Sequence, residues 1–304
     1  MKIVSLIPSG TDIACALGLA NNLVGVSHAC DHEAARGLPI LTQSVVPQNL
    51  SPREIDDCVS QALREPDANG SLYRTHRELL RELAPDIILT QDICDVCAVN
   101  AQSVLCDLPP GARLVNLNAT GFAGLWRDLG NVAQAANVDA TSLISRLQKR
   151  LQVVQRVLES NAHDTPRVLT LEWTDPPFIG GHWVPEIIEL AGGVDVLGSA
   201  NAPSRRATWP EIAATDPDMI IHLPCGYSLE ETRQQEIALR HNIEYSKLRA
   251  VQNGQVWVTN ATHLFSSCTP MSVRAVEVVA GILHPQLFGE ACEDEAVCVQ
   301  VCGL

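Results

Sequence analysis

Residues 139–160, DATSLISRLQKRLQVVQRVLES, carry Leu143, Leu147, Leu151, Val154 and Leu158 at spacings of four, four, three and four. That spacing draws one apolar stripe along a helix of about six turns at 3.6 residues per turn. Asp139 or Thr141 stands at its N-cap, and NAHDTP (161–166) ends it. A long one-sided helix in mid-chain must lay its stripe on something, so the segments before and after it decide the fold.

Both flanks alternate strand and helix. Before the stripe come KIVSLIPS (2–9), DIACALGLA (12–20), LVGVSH (23–28), SPREIDDCVSQAL (51–63), THRELLRELAPD (75–86), DIILTQ (86–91) and ARLVNLN (112–118). Ser51 is an N-cap followed by Pro52, and Pro85 stops a helix. After it come RVLTLEW (167–173), WVPEIIELAGG (183–193), WPEIAATDPD (209–218), MIIHLPC (219–225), QVWVTN (255–260) and PMSVRAVEVVAGILH (270–284). LLRELAPDIILTQ and EIAATDPDMIIHL share one sequence of events: helix, Pro-Asp, strand. The expected fold class is therefore α/β, with two Rossmann-like lobes of mostly parallel sheet joined by one long backbone helix. Its expected divisions are an N-terminal lobe (1–120), a connecting segment with the long helix (121–165), a C-terminal lobe (166–288) and a tail (289–304). Ligands of parallel α/β lobes collect at the carboxyl ends of the strands, which predicts a cleft between the lobes.

Composition narrows the function. The 304 residues hold 35 acidic and 21 basic side chains, for a net charge of −14. Nucleic acid and anionic membrane surfaces reward Lys and Arg, so neither is expected as a partner. No run approaches the roughly 20 apolar residues of a membrane span, so no membrane insertion is expected. MKIVSLIPSGTD is broken too early for a secretion signal. The expected compartment is the cytoplasm, or the periplasm if a leader has been removed. Eleven cysteines, an odd count, fit free thiols better than a disulfide framework.

The stretch MKIVSLIPSGTDIACALGLANNLVGVSHACDH resembles the opening of the cobalamin-binding members of the helical-backbone (class III) periplasmic substrate-binding proteins. RELLRELAPDIIL, EWTDPPFIGGHWVPEIIELAGG and QVWVTNATHLF continue the likeness to about residue 285. A leaderless, cysteine-rich subgroup is closer still, through His28-Ala29-Cys30-Asp31, Cys94-Asp95-Val96-Cys97-Ala98 and Pro224-Cys225-Gly226. The resemblance implies a small-molecule cargo: a corrinoid such as cobalamin, an iron chelate or haem. It also implies, for a secreted member, docking to an ABC permease through one carboxylate on each lobe. Glu78 falls on the first such position. The second is Pro210, with Glu211 one residue along.

Several loops would then face the ligand. Trp173, Phe178, Trp183 and Phe265 offer rings to a flat macrocycle, in a chain with only 4% aromatic residues. His28 and His263 each follow an apolar strand and are the axial-ligand candidates; His222, inside MIIHLP, reads as a core residue. Pro8 and Ser9 stand where strand turns to helix. Cys30, Cys94, Cys97 and Cys225 form a candidate set for an iron–sulfur cluster or zinc, both of which take four ligands. Unliganded loop thiols are the other reading of the same four. The three tail cysteines match no metal spacing, and the tail is expected to be exposed. No catalytic motif is present, so a binding role comes before an enzymatic one.

Overall fold

The computed structural model describes residues 1–47, 49–62, 64, 72–92 and 108–299. Cys94 and Cys97 lie outside the described residues. Contacts divide the chain into two units: Met1–Ala119 with Ala123–Ser145, and Thr120–Phe122 with Arg146–Leu304.

The first unit holds a four-stranded parallel sheet in the order β2-β1-β5-β6. Its strands are β1 (Ile3–Ser5), β2 (Leu23–Val26), β5 (Ile87–Thr90) and β6 (Arg113–Asn116). Ile3, Val4, Ile87, Ile88 and Leu89 have no exposed surface, as a strand covered on both faces requires. A small antiparallel pair, β3 (Thr42–Ser44) with β4 (Tyr73–Thr75), stands beside it. The Pro8–Ala16 helix begins earlier than DIACALGLA predicts, with Pro8 and Ser9 in its first turn. Gly10 makes that possible, because a Cβ there would stand 2.6 Å from Ser5 Oγ and 2.8 Å from Leu89 Cβ.

The second unit is built on the parallel core β7 (Arg167–Thr174), β11 (Met219–His222) and β12 (Val256–Thr259). β8 (Pro177–Ile179) and β10 (Arg205–Arg206) extend one edge antiparallel, and β9 (Val194–Asp195) pairs with β7. On the other edge, β13 (Ala296–Cys298) pairs antiparallel with β12. Within the expected tail, the described residues up to 299 thus include a strand packed on the sheet, while Cys292 is exposed. Arg274 holds Glu295 at 2.6 Å, and Arg240 donates to the Val299 carbonyl at 3.4 Å, so the segment is fastened at both ends of its strand.

The long helix runs Thr141–Ser160, capped by Asp139, whose Oδ1 accepts from Thr141 N at 3.1 Å. All five stripe residues are buried. The division between units falls inside this helix, after Ser145. The connecting segment holds a second helix, Phe122–Ala136, absent from the sequence reading. Among the described residues no helix is long and apolar enough to cross a membrane.

Candidate functional site

In a parallel sheet the carboxyl ends of all strands share one edge, and the loops leaving that edge are the natural ligand positions. Among the described residues of the first unit they are the start of the Pro8–Ala16 helix after β1, the Ser27–His32 turn after β2, Gln91 and Asp92 after β5, and Leu117–Ala119 after β6.

This edge of the first unit is polar and titratable. His28 takes hold of Thr42, through N–H to Oγ1 at 3.0 Å and Nδ1 at 2.7 Å, and its ring lies 5.6 Å from Tyr73. Burial lowers its pKa, favouring neutral imidazole. Cys30 Sγ sits 3.1 Å from Thr11 Oγ1. Burial pushes its thiol up to about 11, against the opposing Thr11 hydrogen bond. Cys15 Sγ lies 3.7 Å from His32 Nδ1, which also accepts from Ala34 N. Asp12, one turn into the first helix, is pushed up to about 7 by burial and then by the charge of Asp31. Asp12, Cys15, Cys30, Asp31 and His32 thus form one cluster that the sequence reading did not assemble. The sequence marks Cys30 as a metal candidate and Asp31 through the His28-Ala29-Cys30-Asp31 turn, but nothing in it joins them to Asp12.

The corresponding edge of the second unit is aromatic. Trp173 on β7 is paired directly with Phe178 on β8, and Phe178 with Arg206 on β10. A register irregularity between Leu171 and Trp173 sets this pairing. The Tyr227 ring meets Trp173 edge-on at 5.4 Å, and the Arg206 guanidinium lies 5.6 Å over Phe178. Tyr227 belongs to the turn after β11, which is stitched to the loop after β12. Thr262 N donates to the Tyr227 carbonyl at 3.0 Å, and Gly226 N to Ser266 Oγ at 2.8 Å. Cys225 is exposed on this turn and His263 exposed on the facing one. The turn needs Gly226, whose φ is +79°.

Other expected residues are placed differently. Phe265 is 3% exposed and packs in the core, a correction to its expected ligand-facing role. Its carbonyl accepts from Trp183 Nε1 at 2.8 Å, so the Trp183 indole N–H anchors the loop. His222 is fully buried. Tyr245 Oη donates to Glu236 at 3.2 Å, so it accepts from His222 Nε2–H at 2.9 Å, leaving Nδ1 as a bare acceptor with no partner among the described residues. Burial pushes His222 down to about 3. Cys268 is buried, its thiol donating to the Gly121 carbonyl at 3.7 Å. Glu78 is exposed in the first turn of the Arg77–Leu83 helix. Glu211 instead closes a capping box with Thr208 and pairs with Arg205 at 2.6 Å, which is why its pKa falls. Among the described residues, no three His, Cys, Asp or Glu side chains come together as a metal site.

Two α/β units built on parallel sheets, with a long helix running from one into the other, define the scaffold of a bilobal ligand-binding protein. The sequence pattern of the family described as Periplasmic binding protein matches residues 3–262, and the chain belongs to that family. The Vitamin B12-binding protein of Vibrio cholerae serotype O1 is 26% identical over 298 residues, covering 93% of this chain and 88% of its own length. The structure of the periplasmic vitamin B12 binding protein of Vibrio cholerae superposes with a TM-score of 0.65 at 22% identity, covering 93% of this chain and 96% of that one. A periplasmic heme-binding protein, BhuT, in complex with two hemes, superposes with a TM-score of 0.68 at 19% identity, covering 94% and 98%. A periplasmic binding protein from Veillonella parvula gives 0.69 at 17%, covering 93% and 90%.

Proposed function

We propose that the chain binds a flat metal macrocycle of the corrinoid class against the aromatic edge of its second unit. The observation that carries this reading is the contiguous face made by Tyr227, Trp173 and Phe178. Trp173 near the end of β7, its cross-strand partner Phe178 on β8 and Tyr227 edge-on to Trp173 after β11 offer apolar ring area to a flat ligand. The names of the curated relatives favour a corrinoid over other flat ligands.

The cysteine reading, an iron–sulfur cluster or zinc on Cys30, Cys94, Cys97 and Cys225, draws less support. The described member in the first unit, Cys30, is a half-buried thiol engaged with Thr11 Oγ1 at 3.1 Å. Delivery to an ABC permease is the partner role that family membership supports, with Glu78 the more available carboxylate of the two. The family's description speaks for the periplasm, and the cytoplasmic expectation draws nothing from these comparisons.

The test is quenching of intrinsic tryptophan fluorescence by cyanocobalamin, with metal analysis of protein purified without oxygen or chelator. Saturable quenching is expected, weakened about tenfold or more by Trp173→Ala and retained in Cys94→Ser/Cys97→Ser. Absence of quenching, or stoichiometric iron with a reducible charge-transfer band, overturns the reading.

A further inference from the structure

His182 stands apart from the other histidines by what its ring leaves unused. His28, His32, His163, His222 and His284 each engage a ring nitrogen in a hydrogen bond. His182 is half-buried, yet among the described residues neither of its ring nitrogens has a hydrogen-bond partner. Its neighbour is a wall: the Trp183 ring lies 5.6 Å away, tilted by 31°. That indole is itself pinned by its bond to the Phe265 carbonyl. Burial lowers the His182 pKa, which favours the neutral ring with a lone pair to offer.

The backbone fixes where that ring points. His182 has a φ of +50°, in the left-handed region that few residues with a Cβ adopt. Two bonds hold it there. His182 N donates to the Ala202 carbonyl at 2.6 Å, and Asn201 N donates to the His182 carbonyl at 2.8 Å. A backbone held in a sparsely populated conformation by its surroundings, carrying a half-buried ring with both nitrogens unspent, is the signature of a side chain aimed at a ligand.

The loop that carries it belongs to the aromatic edge. Four residues earlier, Phe178 pairs with Trp173. One residue later, Trp183 is bonded to the loop after β12, and that loop holds the Gly226–Tyr227 turn through Ser266 and Thr262. His182 thus sits in the same stitched group of loops as Tyr227, whose ring meets Trp173. Neutral imidazole beside a surface for flat ligands is metal-ligand chemistry, since imidazole suits first-row metals with an open position.

Resting on the macrocycle reading above, we infer that His182 coordinates the metal of the bound macrocycle at an exchangeable axial position, and so selects ligands that have one. In that step the bond from the metal to an axial water breaks and a bond from the metal to a His182 ring nitrogen forms. The water leaves, and the metal keeps its oxidation state.

Aquocobalamin and cyanocobalamin test this, because they differ in one axial ligand, a labile water against a tightly held cyanide. Tryptophan quenching reads binding, and the absorption bands of the corrinoid read coordination. Aquocobalamin is expected to bind about tenfold tighter or better, with a band shift that cyanocobalamin does not show. Asparagine tolerates the left-handed region, so His182→Asn keeps the turn while removing the imidazole. It should abolish the shift and bring aquocobalamin down to the affinity of cyanocobalamin. A shift that survives His182→Asn assigns coordination to another group and overturns the inference. So does a variant that weakens both probes equally, as a purely structural histidine would. If both probes quench the unmodified protein equally with no shift, the macrocycle reading stands and the role of His182 falls. If neither quenches, both fall.

Discussion

The two units build the same corner from different residues. In the first, the Arg77–Leu83 helix ends in Ala84 at φ 44° and ψ 63°, then Pro85 and Asp86 lead into β5. In the second, the Trp209–Thr215 helix ends in Asp216 at φ 44° and ψ 65°, then Pro217 and Asp218 lead into β11. Proline bars the residue before it from the right-handed helical region, so the chain leaves each helix through one left-handed residue. Asp86 then accepts from Lys2 N at 2.6 Å, and Asp218 from Arg167 N at 3.0 Å. Each aspartate thus holds the chain at the start of the neighbouring strand. The basic side chains return the grip, Lys2 Nζ on the Leu83 carbonyl at 3.0 Å and Arg167 Nη2 on the Thr215 carbonyl at 2.7 Å. The difference lies above the aspartate. Arg249 bridges Asp216 and Asp218, each at 2.8 Å, whereas the first unit has a cavity of about 410 Å³ among Arg81, Ala84, Asp86 and Pro109–Gly111. Geometry that recurs while its residues change is geometry set by the Pro-Asp signature. What does not recur belongs to each unit alone.

The largest effects test whether the helices are equivalent. Leu80 and Ile212 occupy matching positions and are both fully buried. Truncation to alanine should cost about 2–5 kcal/mol in either case. Hydrogen exchange read unit by unit keeps the two local stabilities apart. A large cost at one position and a negligible one at the other would break the comparison at its root.

Next in size is an effect at the carboxyl edge of the first sheet, which has no counterpart in the second among the described residues. Asp12 has a folded pKa of about 7 against an ordinary 3.8, from burial and then from Asp31. A raised folded pKa means that the folded state holds the proton longer. Asp12 therefore favours folding below about pH 4 and loses that contribution as pH rises through 7. Asp12→Asn should stabilise the first unit at pH 8, by up to a few kcal/mol, and leave it nearly unchanged at pH 4. Equal effects at both pH values would show that Asp12 is not buried as described.

These predictions rest partly on what the sequence made legible. The Pro-Asp repeat and the leucine stripe were readable because helix-stop chemistry and a 3.6-residue period leave direct marks. The Leu229–Leu239 helix left almost none, since only Thr232, Glu236 and Leu239 are buried on it. Its capping box, Ser228 with Glu231, was the available signal. The tail strand is three residues long, follows the acidic run Glu293-Asp294-Glu295, and shows itself only through pairing with β12. At the site, Trp173 and Phe178 stood out by residue type. Their alignment with Arg206 depends on the register across three strands and on one irregularity in β7, and composition carries no register. Nor could spacing show that Phe265 turns inward or that Glu211 is held by Arg205.

A smaller effect separates the two aspartates. Asp218 has its pKa lowered, first by Arg249 and then by the Arg167 N–H, so its contribution is present above the ordinary 3.8 and lost as pH falls through the lower folded value. Asp218→Ala should cost about 1 kcal/mol or somewhat more, with much of that loss gone at acid pH. Asp86→Ala should cost less, because among the described residues no arginine bridges it and its ion pair with the Met1 amino group is long, at 3.9 Å. Urea denaturation of both variants at pH 7 and pH 3 checks the order.

The smallest effect is the sharpest, because it predicts opposite signs. Ala84 and Asp216 share one left-handed conformation, but they occupy it on different terms. An alanine Cβ there costs about 1–2 kcal/mol, while glycine gives back about 0.5–1 kcal/mol through the entropy of the unfolded chain. Ala84→Gly should therefore stabilise the first unit by about 0.5–1 kcal/mol. Aspartate tolerates this region better, and Asp216 also holds Arg249 Nε at 2.8 Å. Asp216→Gly should gain nothing, or lose up to about 1 kcal/mol with the exposed ion pair. If both glycines stabilise equally, the Arg249 bridge contributes nothing, and the two corners differ in residue type alone.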